Sequence, residues 1–192
     1  MQRKLFVICF LLSSLTTVSQ NLFKVIEVSR NELNELQEKR DSPVKHFRIV
    51  LNNDTSAINA TYPFTFPKGI DTLRAIDELL RLEGDTRLCV FTINNYNPAR
   101  SQIYSGDNVN YSIQVEALFL INQLVYEKPF NYSSFPMLVD KRIEQDDSVS
   151  GPVIANAFKA YRKWHKKVAK KGVEYIREKN IMPLSGSSIR WY

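Results

Sequence analysis

The chain has 192 residues, of which 44% are hydrophobic and 24% charged, and a formal net charge of +6. That balance is globular rather than disordered, and the length suits one domain with a proper core. Beyond the N-terminal segment there is no run of about 18 or more apolar residues, which argues against a membrane-spanning helix in the body of the protein.

The first 19 residues predict a cleavable export signal. Arg3 and Lys4 precede the apolar run Leu5-Phe6-Val7-Ile8-Cys9-Phe10-Leu11-Leu12, which is too short to span a bilayer stably. Thr17 and Ser19 offer the small side chains a signal peptidase accepts, so cleavage is expected after Ser19, with Gln20 as the new N-terminus. Cys9 lies inside the run with no small residues before it, which argues against a lipid anchor. Its loss leaves Cys89 as the single thiol, so no internal disulfide can form. Set among Leu88, Val90 and Phe91, Cys89 reads as a small buried hydrophobe. The expected compartment is periplasmic or extracellular.

The first mature segment, Leu22 to Glu38, carries Leu22, Val25, Ile26, Leu33 and Leu36. It predicts a helix, either from residue 22 onward or from Arg30, where Ser29 and Glu32 form a capping box. Ser42-Pro43 ends it. His46 to Leu51 predicts a short strand or a helix fragment, and Asn52 to Lys68 a long loop whose aromatics Tyr62, Phe64 and Phe66 pack on the core. A helix follows over Gly69 to Leu82, with Asp71, Asp77 and Glu78 facing out and Gly84 stopping it. Arg87 to Asn94 suits a short strand, and Asn95 to Asn108 is rich in turn signals.

Asn110 to Glu127 is apolar on nearly all sides, the mark of a central buried helix. Phe130 to Asp140 reads as extended. The last helix is predicted over Pro152 to Lys179, with Ile154, Ala157, Tyr161, Trp164, Val168, Gly172 and Ile176 in one stripe. The terminal Trp191-Tyr192 pair is costly to leave in water and is expected to tuck back. The pattern predicts a mainly α fold: a helix-rich single domain over 20–192, of about four helices with long aromatic-bearing loops. The alternative is α+β with two or three short strands.

Charge is concentrated in one place. Residues 159–179 hold nine basic and two acidic residues. Lys159, Arg162, Lys163, Lys166, Lys167, Lys170 and Lys171 lie opposite the Tyr161, Trp164 and Val168 stripe, as a surface for anionic headgroups, glycans or nucleic acid would. A solvated helix face, with lysine stems covering apolar surface, has the same pattern.

Glu116 is the candidate catalytic residue, a carboxyl in an apolar helix flanked by Gln114, Asn122 and Gln123. The plainer reading is a buried hydrogen bond to a loop amide or to an arginine such as Arg100. His46 and His165 lack metal spacing, and a dyad of either with Cys89 has no local signature. Asp140, Glu144, Asp146 and Asp147 lack the alternation of a calcium loop and read as a solvated acidic turn. Sequons stand at Asn53, Asn59, Asn110 and Asn131.

No nucleophile elbow or phosphate loop is present. These features predict an exported, non-enzymatic domain that binds a cell-envelope or extracellular partner. Its contact surfaces are the basic helix and the aromatic loops Tyr62–Phe66 and Phe130–Phe135. The alternative is a small hydrolase or transferase with a carboxylate site near Glu116. No cofactor or metal is expected, and nucleic acid is not the expected partner because an exported protein rarely meets it. The sequence carries no signal for an oligomeric state.

Overall fold

A computed structural model describes residues 20–28, 45–53, 64–93, 109–127, 136–142 and 151–191. The predicted export signal, the Ser29–Glu32 capping box, Tyr62, Arg100, the turn-rich segment and the Phe130–Phe135 loop lie outside the described residues. No described helix is long and apolar enough to cross a membrane.

The mainly α expectation is corrected. Four helices and six strands in two sheets make up the described residues, a mixed α/β architecture. The larger sheet has the order β1-β2-β3-β4, where β1 is Phe23–Val28, β2 His46–Leu51, β3 Leu88–Ile93 and β4 Val109–Ser112. The β1–β2 pair is antiparallel from Phe23↔Leu51 to Val28↔His46. β2 and β3 run parallel at Phe47↔Cys89, and β3 and β4 run antiparallel. Helix α1, Thr72–Leu80, lies in the crossover between the parallel strands, as such a connection requires.

The segment from Leu22 shows why a helix from residue 22 onward fails, while one from Arg30 lies outside the described residues. Leu22, Val25 and Ile26 fit a helical spacing, but Phe23-Lys24-Val25-Ile26-Glu27-Val28 also suits a strand. Three β-branched residues favour the pleated form, and pairing with β2 fixes it. Phe23 and Val25 then point into the core. The strand start is held by Glu78, whose Oε2 accepts from the amides of Leu22 at 2.6 Å and Phe23 at 3.3 Å. Glu78 therefore does not face solvent as its helical position predicts. It is the anchor of β1, and its Oε1 takes the Arg74 Nε at 3.0 Å. Asp71 caps α1 by accepting from the Arg74 amide at 3.1 Å.

The predicted central helix starts three residues late. Asn110, Tyr111 and Ser112 belong to β4, and α2 runs Ile113–Tyr126. All fourteen residues of α2 are buried. It touches β2, β3 and β4 on one side and the remaining helices on the others. Three of its polar side chains each place one atom in a hydrogen bond: Gln114 Oε1 accepts from the Gly84 amide at 3.0 Å, Asn122 Oδ1 accepts from the Tyr161 hydroxyl at 2.7 Å, and Gln123 Nε2 donates to the Phe64 carbonyl.

The long C-terminal helix is two helices. α3 covers Gly151–Lys171 and α4 Val173–Glu178, with Gly172 at φ 88° and ψ 153° between them. That conformation is essentially confined to glycine. An added Cβ would meet nothing within 4 Å, so the cost of substitution is backbone strain alone. Gly172→Ala is expected to lower stability by about 1–3 kcal/mol in urea unfolding. Were the two helices continuous, the same change would stabilise by roughly 1 kcal/mol, so the sign of the result decides.

The tail behaves as its aromatic content predicts. β6, Ile189–Trp191, pairs antiparallel with β5, Leu138–Asp140, as a two-stranded ribbon against α3. Trp191 stacks edge-on to Phe119 and donates its Nε1–H to the Tyr161 oxygen at 2.8 Å.

Candidate functional site

The basic face is built on α3. Val153, Ile154, Ala157, Phe158, Tyr161, Trp164 and Val168 are buried, which fixes the helix by one side. Trp164 Nε1 donates to the Ile181 carbonyl at 2.7 Å, and the Tyr161 hydroxyl reaches α2. The opposite side is therefore held outward by packing. At about 100° per residue, Lys159, Lys163, Lys166 and Lys170 fall within roughly 60° of arc and extend roughly 16 Å along the axis. All four are exposed, and none has a carboxylate partner among the described residues.

The seven predicted basic residues do not share one state. Arg162 turns toward α1. Its guanidinium pairs with Glu83 at 2.5 Å and donates to the Leu80 carbonyl at 3.1 Å, which joins α3 to the end of α1. Lys171 sits 5.7 Å from the ring centroid of Tyr175 on α4, a cation–π contact with a ring that is itself exposed. Lys167 is exposed on the flank between this pair and the lysine row.

His165 lies on the other flank, half-buried against α1. Desolvation lowers its pKa, while Asp77 and a hydrogen bond to the Leu73 backbone favour its charged form. Its charge state is set by packing rather than by the neighbouring lysines.

The second constellation surrounds Glu116. The carboxyl is 3% exposed and lies with Arg48 from β2, Tyr111 from β4 and Cys89 from β3, all of them buried. Burial pushes the Glu116 pKa up to about 7, against the opposing pull of the Tyr111 hydroxyl and the Arg48 guanidinium. Its Oε2 finds no hydrogen-bond partner among the described residues. The cationic group beside Glu116 is thus Arg48, whereas Arg100 lies outside the described residues. Sequence reasoning missed Arg48 and Tyr111. The available signal was a lone arginine inside the apolar strand His-Phe-Arg-Ile-Val-Leu.

Cys89 is a fully buried thiol that takes part in no disulfide. Burial raises its pKa well above the usual thiol value, and the negative charge of Glu116 adds to this. The side chains that act on it are Glu116, Tyr111 and Arg48, and neither histidine is among them. A thiolate nucleophile is disfavoured in such a setting.

The other predicted surfaces separate. Phe64 and Phe66 stack on each other at 4.8 Å and against Phe23, so this part of the Tyr62–Phe66 loop packs inward. Asp140 is buried and paired to Arg142 at 2.6 Å, which holds its carboxyl far below the usual range. Glu144, Asp146 and Asp147 lie outside the described residues. Among the described residues no group of three potential metal ligands converges. Of the sequons, Asn53 is exposed in a turn and Asn110 stands in β4, while Asn59 and Asn131 lie outside the described residues.

Compared with known proteins, the chain matches no family model, no curated protein and no solved structure.

Proposed function

We propose that this chain is an exported, non-enzymatic binding domain that docks on an anionic component of the cell envelope through the outward face of α3. The observation that carries the reading is the row Lys159, Lys163, Lys166 and Lys170, exposed and without acidic partners among the described residues. Unmatched like charges at adjacent helical positions repel one another. An anionic partner relieves that repulsion and gains attraction at four points. The helix is fixed by its buried face, so docking requires no folding step and little ordering beyond the lysine stems.

The carboxylate-enzyme alternative has one supporting observation, the near-neutral Glu116. Against it, the carboxyl is closed off from solvent and shares its surroundings with buried side chains. A substrate site needs a concave, accessible pocket at the reacting group.

The test is retention on anionic surfaces across a salt series. The wild-type chain is expected to bind at low salt and to be released as salt rises. The fourfold variant K163E/K166E/K167E/K170E is expected to lose affinity by more than several hundredfold, since removing the four charges alone takes about fivefold per lysine and the glutamates add repulsion. Equal retention of the two proteins overturns the reading.

A further inference from the structure

We infer that the anionic component is a lipid bilayer, and that the α3 lysine face is a peripheral, non-inserting membrane-docking surface. This rests on the anionic-docking reading above and specifies its partner. Three features of the face point to a plane of headgroups rather than to a threaded polymer.

The first is shape. The four lysines stand on the outermost meridian of an exposed helix, parallel to its axis, with Lys167 and Lys171 beside them. A convex ridge meets a plane along its length, so every lysine in the row reaches the same layer of charge. A glycan or nucleic-acid strand is held better in a groove, where cations face it from two sides.

The second is the choice of cation. The face is made of lysine, while the one arginine among the seven, Arg162, is turned to Glu83 and the α1 carboxyl end. Lysine is a strongly hydrated point charge that binds without fixed geometry, and arginine is the bidentate fork used for oriented phosphate or carboxylate recognition. A fluid array of headgroups needs charge without fixed geometry.

The third is the position of Tyr175. It is 38% exposed at the C-terminal end of the row, with the Lys171 ammonium over its ring. Tyrosine rings sit at the headgroup level of bilayers. Apart from its basic residues, the exposed positions of α3 are Gly151, Pro152, Ala155, Asn156 and Ala169, none of them large and apolar. The helix therefore lacks the apolar face that amphipathic helices bury in lipid. Docking is electrostatic and reversible, with one aromatic contact.

The experiment is co-sedimentation of the mature chain with vesicles of phosphatidylcholine mixed with phosphatidylglycerol, beside pure phosphatidylcholine vesicles and immobilised heparin. Binding to the mixed vesicles and not to phosphatidylcholine alone supports the inference, as does release when ionic strength is raised from about 0.1 M to about 1 M. K163Q/K166Q should weaken vesicle partitioning by roughly 30-fold, at about fivefold per neutralised lysine. Lys45→Gln, on β2's approach and paired to Glu27, should leave it unchanged, and all variants should keep the wild-type melting temperature. Binding to heparin without binding to the mixed vesicles overturns the lipid inference and leaves the anionic-docking reading standing. Failure to bind either overturns both. Equal binding to the two vesicle types, or insensitivity to salt, overturns the electrostatic account.

Discussion

Glu116→Gln is expected to make the protein more stable at pH 8, by about 3 kcal/mol, and to leave its stability at about pH 3, below the unfolded value, nearly unchanged. The folded carboxyl titrates near 7, against 4.5 for the free group. Each pKa unit corresponds to about 1.4 kcal/mol. The direction follows from proton binding. The folded state holds the proton more tightly than the unfolded state, so the contribution of this group is fully present below the unfolded value. It is lost as pH rises through the folded value. Above neutrality the chain must either keep a charged carboxylate 3% exposed or unfold to hydrate it. Glutamine has the shape of the protonated acid and no charge to lose. The measurement is the difference in urea unfolding free energy between wild type and variant from about pH 3 to about pH 8. His165, whose folded pKa is depressed by burial, is common to both proteins and cancels in the difference. If the wild type instead gains on the variant as pH rises, Arg48 outweighs burial and Glu116 is one half of a charged pair.

The extent to which this fold is legible follows from which forces are local. The buried stripe of α3 is readable because Ile154, Ala157, Tyr161, Trp164 and Val168 repeat at helical spacing and do bury. The all-round apolar run of α2 is readable for the same reason, and all of it is inside. The return of the tail is readable because a terminal Trp has few ways to leave water. Strand β1 is not, because six residues fit two periods and only the partner strand, far along the chain, chooses between them. Nor is the end of α3, since an isolated glycine inside a helical stripe is compatible with continuation. Only the observed φ and ψ of Gly172 show the break.

The sites divide in the same way. The basic face is a property of one helix, and its periodicity is visible in the sequence. The split within it is not, because Arg162 is drawn away by Glu83 and the Leu80 carbonyl, which belong to another part of the chain. Glu116 stands out as an acid in an apolar helix, but its surroundings come from three strands. Glu78 is the reverse case. Its acidity and helical position suggest solvent, and two backbone amides at the start of β1 give it a structural task.

Tyr161→Phe is expected to cost about 2–4 kcal/mol, although it removes one oxygen atom and no apolar surface. The hydroxyl stands between two groups. It donates to Asn122 Oδ1 at 2.7 Å and accepts from Trp191 Nε1 at 2.8 Å. Removing it strands a donor and an acceptor together, and a buried polar group without its partner costs about 1–3 kcal/mol. Asn122 is 0% exposed and its Nδ2 already lacks a partner among the described residues, so water offers it little relief. Trp191 is only partly buried and recovers some of its loss from solvent. The check is a double-mutant cycle by urea unfolding with Asn122→Leu. If the chain of bonds holds the tail, α3 and α2 together, Asn122→Leu made on top of Tyr161→Phe should cost clearly less than alone, with a coupling of about 1–2 kcal/mol. The connection bears on docking as well, because this network fixes the buried side of the helix whose other side carries the lysine row. A loosened tail should therefore reduce anionic-surface binding in Tyr161→Phe without any change in charge. Additive costs in the cycle, or unfolding free energy within about 0.5 kcal/mol of wild type, would mean that the three elements are held by apolar packing alone.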